Sequence, residues 1–341
     1  MKIRHKQIKI LAILFSALLA SGAETVTVSG PVSAVIFDAR SQSIRVITGV
    51  PGAAMLGAKL ADQIRQAEIA PDGNTALAVG SPATPDQRSL RRANEGASLY
   101  AILGLMGANP AWVPLPFASR TVDRMAWNST SSAAAAYSAA SRTVLLITNI
   151  SPAGATETAI SVASLQGELT ALAVDGAGDA AIAALSGNAG GVYLLMPNHP
   201  PALLAPVAQP SSIYLHQDQD LFITDAASLQ IFEVLNYRGV ARLAPFAPLP
   251  QGASLPVGLA MSPDNQFVFA ADQACRCLAT YQFSTGTLLS QTPLQDRPAF
   301  LKPASSGRQF VLNSPIPNDT PFWILSAGAT PLVYFVSNSG Q

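Results

Sequence analysis

The sequence predicts an all-β fold, a β-propeller of seven blades with four antiparallel strands in each. Three observations carry that expectation. One motif recurs six times after residue 60, copies lie 41 to 58 residues apart, and Gly, Pro, Asn, Asp and Ser recur between short apolar runs. Three copies show the motif plainly: Ala67–Ala78 (AEIAPDGNTALA), Leu172–Ile182 (LAVDGAGDAAI) and Leu259–Phe269 (LAMSPDNQFVF). Each reads as a short apolar strand, a polar turn and a second apolar strand.

The copies align on one apolar residue just before the first turn: Ile69, Trp127, Val174, Leu215, Met261 and Pro303. The spacings are 58, 47, 41, 46 and 42 residues, which suits propeller blades of four strands. In the copy starting near Leu255 the expected strands are 257–261, 266–270, 278–283 and 287–291. In the copy starting near Gln209 they are 212–215, 221–224, 230–235 and 241–246. Helical solenoids need a 3.6-residue period over ten or more residues, and Pro at 26 positions interrupts almost every such window. The Ala-rich stretch 131–140 has helical propensity, but its place in the repeat makes it the second strand of its blade. Before the first full copy, 32–38 and 43–48 flank the turn Ala39-Arg40-Ser41-Gln42 and resemble the outer strands of a blade more than the inner two; 24–29 is a further candidate strand. Six full copies and this partial one give seven blades. Six blades with the N-terminal hairpin docked outside is the alternative.

The segments Ile69–Val79 (IAPDGNTALAV) and Met261–Ala270 (MSPDNQFVFA) resemble the YVTN-type, lactonase-like β-propeller repeat. The resemblance covers roughly residues 30–339. It implies the architecture but no particular activity, because that superfamily mixes enzymes, surface proteins and binding scaffolds. The copies near Asn128, His216 and Ser305 depart from the turn pattern, and the Gly-His and Trp-Asp pairs of WD40 repeats are missing.

The first 23 residues read as a secretory signal peptide. Lys2, Arg4, Lys6 and Lys9 precede the apolar run Ile10–Ala20, and Ser21-Gly22-Ala23 supplies small residues for cleavage near Ala23. The run has 11 residues, against about 20 needed to span a bilayer. The expected organisation is therefore a leader over 1–23 and one propeller domain over 24–341, a secreted or periplasmic monomer with no transmembrane segment after leader removal. The leader holds four basic residues and no acidic one, so 20 basic residues become 16 against 20 acidic, a net charge of −4. That balance argues against nucleic acid or an anionic membrane as partner. With 49% apolar and 12% charged residues, a disordered chain is excluded.

Candidate sites are few. The largest departure from the period is the segment 81–96 in the blade of Ile69, which carries Arg88, Arg91 and Arg92. Guanidinium forks suit carboxylate, phosphate or acidic sugar groups, so these arginines are the candidate partner-binding residues, against a plain solvated insertion. Cys275 and Cys277 are the only cysteines. In an exported chain they are candidates for a disulfide, although the i, i+2 spacing needs a local kink; free thiols and a metal site are the alternatives. His199 and His216 read as turn or surface histidines. The aspartates Asp72 and Asp264 serve their own turns, and Asp175–Asp179 lacks the closing Glu of a calcium loop. Trp112, Trp127 and Trp323 read as packing residues. Asn128, Asn149 and Asn318 head glycosylation-type triplets.

No catalytic residue, metal ligand or cofactor is expected from any motif. The functional expectation is an exported scaffold that binds an envelope or extracellular protein, peptide or glycan through its loop-rich face. The alternative is a secreted hydrolase, lactonase or lyase with a site at the propeller axis.

Overall fold

The computed structural model describes residues 31–81, 98–117, 121–187, 190–217, 219–304, 308–313, 321–328 and 330–337. Within them, antiparallel strands form seven sheets, six of four strands and one of three. Blade I holds β1 (Val32–Asp38), β2 (Ser43–Thr48) and β3 (Met55–Ala61). Blade II holds β4 (Ile64–Ile69), β5 (Thr75–Gly80), β6 (Ser98–Leu103) and β7 (Ala111–Leu115). Blade III holds β8 (Arg124–Trp127), β9 (Ala134–Ser138), β10 (Thr143–Ser151) and β11 (Gly154–Ser161). Blade IV holds β12 (Glu168–Val174), β13 (Ala181–Ser186), β14 (Gly191–Leu195) and β15 (Ala202–Ala205). Blade V holds β16 (Pro210–His216), β17 (Asp220–Asp225), β18 (Gln230–Leu235) and β19 (Arg242–Pro248). Blade VI holds β20 (Pro256–Met261), β21 (Phe267–Asp272), β22 (Cys277–Gln282) and β23 (Leu288–Pro293). Blade VII holds β24 (Lys302–Pro303), β25 (Gln309–Val311), β26 (Phe322–Ser326) and β27 (Leu332–Val336).

The seven-bladed reading therefore holds, and the six-bladed alternative does not. All six alignment residues fall at or next to the end of the innermost strand of their blade. The expectation that the hairpin 32–38 and 43–48 supplies the outer two strands of a blade is corrected, because backbone bonds place it one strand further in. In blades III, V and VI the residue after the fourth strand donates to a residue in the turn between strands two and three: Val162 N to Arg142 O, Leu249 N to Leu229 O, and Leu294 N to Arg276 O. Ile64 N, at the start of β4 and three residues past the end of β3, likewise donates to Gln42 O. Gln42, Arg142, Leu229 and Arg276 also share a left-handed backbone, with φ of 48°, 50°, 56° and 51°. Thus β1, β2 and β3 are the second, third and fourth strands of blade I. The candidate strand 24–29 and the leader 1–23 lie outside the described residues.

Each sheet packs on a neighbour through both faces, so the second strands read as continuous apolar runs rather than alternating ones. Alternate residues serve opposite interfaces. Ala134 and Ala136 of β9 pack toward blade II, whereas Ala135 and Tyr137 pack toward blade IV. Small residues suit this position because the blades converge toward the axis, and alanine lets the sheets approach. That is why the Ala-rich stretch is a strand despite its helical propensity. Gly258 on β20 marks one close approach: a Cβ there would sit 2.5 Å from the backbone nitrogen of Leu301, just ahead of β24.

Turns follow their chemistry. Asp72 Oδ1 accepts from Asn74 N (2.8 Å) and Thr75 N (3.0 Å), and Asp264 Oδ1 accepts from Gln266 N (3.2 Å). In blade III, Asn128 does this work: it is fully buried, and its Oδ1 accepts from Ser132 N and Ala133 N. A buried side chain with that role is not a glycan acceptor. Asp175 is fully buried at the matching turn of blade IV, where Oδ1 accepts from Ala180 N and the carboxylate pairs with Arg238. Arg238 comes from the β18–β19 turn of blade V and also reaches Asp179, so it clamps two blades together.

Replacing Arg238 with alanine leaves Asp175 buried without its cation. Because the guanidinium is one-third exposed, the expected loss is about 1–3 kcal/mol rather than the full cost of breaking a deeply buried pair. A lowered urea midpoint checks this; an unchanged midpoint would show that the clamp carries no stability.

Candidate functional site

The innermost strands surround the axis and leave a channel of about 800 Å³. Whole consecutive runs line it, such as Thr170–Val174 of β12 and Ser211–Leu215 of β16, because the wall is formed by strand edges rather than by one pleated face. Strand edges carry backbone polar groups that ladder bonds leave open. Side chains rivet neighbouring blades across this wall. Trp127 Nε1 donates to Glu68 O (2.9 Å), Arg124 Nε donates to Leu169 O (3.1 Å), and Thr170 Oγ1 donates to Pro210 O (2.6 Å). Trp127 is therefore more than a packing residue: it joins blades II and III at the channel wall.

Glu68 on β4 and Lys302 on β24 form an ion pair across the inner edge of blade I, and the Lys302 ammonium also lies 5.3 Å from the centre of the Phe300 ring. Asp123 Oδ2 accepts from Ala139 N (2.6 Å). Among the described residues, the channel carboxylates Glu68 and Asp123 are thus both engaged by protein donors. Burial raises the pKa of Tyr214, another lining residue, which keeps its phenol neutral. The wall offers hydroxyls, aromatic edges and strand backbone, groups suited to hydrogen-bonding and stacking on a ligand. No group of three or more His, Cys, Asp or Glu that could hold a metal occurs among the described residues.

Arg88, Arg91 and Arg92 lie outside the described residues. The stems of their segment are described: Gly80 pairs with Ser98 across β5 and β6, and Ser81 N donates to Gln63 O just ahead of β4. These stems therefore lie on the face where the chain enters each blade. Cys275, in the β21–β22 turn, and Cys277, which opens β22, sit on the same face, and their sulfurs are joined with Cα atoms 5.3 Å apart. The left-handed Arg276 between them supplies the kink that the spacing demands. The same kink occurs at Gln42, Arg142 and Leu229, without cysteines, so the bridge staples a turn the repeat already makes.

The reading of His216 as a turn or surface residue is corrected by the structure. It is 7% exposed at the end of β16 and packs against Phe283 (5.1 Å between ring centres) and Phe222 (6.4 Å). These aromatics come from β17 and from the residue after β22, contacts that no sequence neighbour announces. Burial lowers the His216 pKa, opposed by Asp220.

No family model matches the chain, and no curated protein matches it in sequence. Solved structures do match it. A protein from Lactobacillus plantarum superposes with a TM-score of 0.61 at 12% identity, over 89% of this chain and 96% of that one. A putative 6-phosphogluconolactonase from Bacteroides fragilis gives 0.60 at 12% identity, over 91% and 95%. One from Bacteroides uniformis gives 0.61 at 11% identity, over 89% and 94%. At these identities the likeness shows the β-propeller fold and no more.

Two measurements check this account. Alkylation without reductant is expected to modify neither cysteine, and Cys275→Ser with Cys277→Ser to cost on the order of 1–2 kcal/mol, since so short a loop restrains the unfolded chain little. For His216, the folded-state pKa lies below the unfolded one, so its contribution is fully present above about pH 6.5 and is lost as pH falls toward the folded value. A His216→Phe variant should flatten the decline of urea midpoint with falling pH over that window; an unaltered slope would refute the assignment.

Proposed function

We propose that this chain is an exported propeller that binds an envelope or extracellular protein, peptide or glycan, at the face where the chain enters each blade. One observation carries the binding reading over a catalytic one: the charged groups of the channel are spent on the ring itself. Glu68 is held by Lys302, Asp123 by Ala139 N, and Arg124 by Leu169 O. Gly80 and Ser98, the described stems of the segment that carries Arg88, Arg91 and Arg92, lie at that same face, and guanidinium groups suit an acidic partner. The basic, apolar and small-residue pattern of residues 1–23 supports export, and a bridged Cys275–Cys277 pair fits an oxidising compartment.

A second reading, a hydrolase acting on lactones at the axis, draws on the names of the two Bacteroides propellers. It requires Glu68 or Asp123 to be released from its present partner.

The test is a pull-down from native envelope and secreted fractions, with leader-free chain as bait and an Arg88→Ala, Arg91→Ala, Arg92→Ala triple variant as control. A partner enriched on the wild type and lost on the control is the expected result. Equal recovery on both baits would remove the arginines from the interface. Turnover of a lactone panel, abolished by Asp123→Asn or Glu68→Gln, would favour the hydrolase instead.

A further inference from the structure

The turn between the second and third strands recurs around the ring, and blade VI changes its chemistry. Blade I writes it Asp38-Ala39-Arg40-Ser41-Gln42-Ser43, blade V Asp225-Ala226-Ala227-Ser228-Leu229-Gln230, and blade VI Asp272-Gln273-Ala274-Cys275-Arg276-Cys277. In each, the aspartate pairs across the ladder with the residue that opens the third strand: Ser43, Gln230 or Cys277. The residue before that one, Gln42, Leu229 or Arg276, has a left-handed backbone. Each aspartate carboxylate also accepts from the turn's own amides: Arg40 N in blade I, Ser228 N in blade V, Ala274 N and Cys275 N in blade VI. The two sulfurs therefore stand where blade I has two hydroxyls.

Those hydroxyls show how the turn lives without a bridge. Ser41 Oγ donates to Asp38 Oδ2 (2.5 Å) and lies 2.6 Å from Ser43 Oγ. Ser228 Oγ donates to Asp225 Oδ2 (2.6 Å). One backbone thus holds a joined pair of side chains in blade VI and an unjoined, hydrogen-bonded pair in blade I. Leu294 N to Arg276 O secures the turn as Val162 N to Arg142 O does where no cysteine is present. An opened bridge also leaves Cys275 an acceptor, because its sulfur is 3.9 Å from Asp272 O.

The sulfurs differ in access. Cys277 is 1% exposed, whereas Cys275 is half-buried at the face where the chain enters the blade. Gly252 is its neighbour there: a Cβ on Gly252 would lie 3.8 Å from the Cys275 Cβ, and glycine puts no side chain over the sulfur. The exposed Arg276 sets a cation beside an approaching thiolate.

We infer that Cys275 and Cys277 form a reversible dithiol–disulfide centre that exchanges with substrate dithiols. A substrate thiolate attacks Sγ of Cys275. A mixed disulfide forms, and the bond between the two cysteines breaks with its electron pair on Cys277, which takes up a proton. The substrate's second thiol gives up its proton and attacks the substrate sulfur of the mixed disulfide. Cys275 leaves as a thiolate and is protonated in turn. The substrate loses two electrons and two protons and becomes a disulfide; the two cysteines gain them. The reverse steps restore the bridge from a substrate disulfide. The centre uses none of Arg88, Arg91 and Arg92, so it is independent of the partner-binding reading.

The test mixes the folded, oxidised chain with reduced dithiothreitol or with a reduced two-cysteine peptide, quenches in acid, and reads alkylation by mass spectrometry. Both cysteines should become alkylated with release of an equal amount of oxidised probe. The urea midpoint should fall no further than in the Cys275→Ser, Cys277→Ser double variant, and oxidised glutathione should restore the bridge in the folded chain. Oxidation of dithiothreitol alone assigns the centre to small dithiols, and oxidation of the peptide as well assigns it to protein substrates. Cys277→Ser should form a mixed disulfide with oxidised glutathione roughly tenfold faster than Cys275→Ser does, since the remaining thiol is the accessible one. A bridge that opens only in urea that unfolds the chain is a fixed staple and overturns the inference. Equal rates for the two single variants overturn the assignment of Cys275 as the attacked sulfur.

Discussion

Everything in this fold depends on the burial of one sheet face against the next. The described core divides into seven apolar clusters, and each joins two adjacent blades. A single four-stranded blade has two apolar faces and no way to cover either alone. Covering both for every blade requires a closed ring, and the cluster between blades I and VII is what closes it. Ala34, Ile36, Ile47 and Leu56 there meet Val311, Phe322, Ile324 and Tyr334. At about 25 cal/mol per Å² of apolar surface, these interfaces outweigh any single turn or ion pair. Polar rivets such as Arg238 with Asp175 then set how one blade sits on the next.

Closure also dictates where chemistry is possible. Strands packed on both faces have no freedom to present functional side chains within the blades. The axis remains, where strand edges meet, and so do the turns at either face. At the axis, among the described residues, Glu68, Asp123, Arg124 and Lys302 are committed to one another or to backbone. The face where the chain enters each blade combines the stems of the arginine-bearing segment with the Cys275–Cys277 turn. The insertion is tolerated because it leaves a β5–β6 pair whose own register, Gly80 to Ser98, is kept by burial on both sides.

Much of the fold was legible in the residues. The expected strand 230–235 coincides with β18, and the expected 221–224 lies within β17. The anchors at Ile69, Val174 and Met261 end inner strands because a turn with Asp and Gly or Asn must follow them. His216 was not legible: its burial comes from Phe283, far along the chain and in another blade. Asn128 was not legible either, since an Asn-Ser-Thr triplet reads as a glycan acceptor until the side chain is seen bonding the backbone four and five residues on. The channel was hidden for the same reason. Glu68 and Lys302 are separated by almost the whole described ring, and only closure makes them neighbours.

By itself the sequence determined the class of architecture, the blade length and the turns, because all three depend on local periodicity and turn chemistry repeated along the chain. The tertiary structure alone decided the blade number, the identity of β1 as a second strand, the pairing of charges at the axis and the burial of His216. Those features arise from contacts between blades, and linear order carries no record of which residues a closed ring brings together.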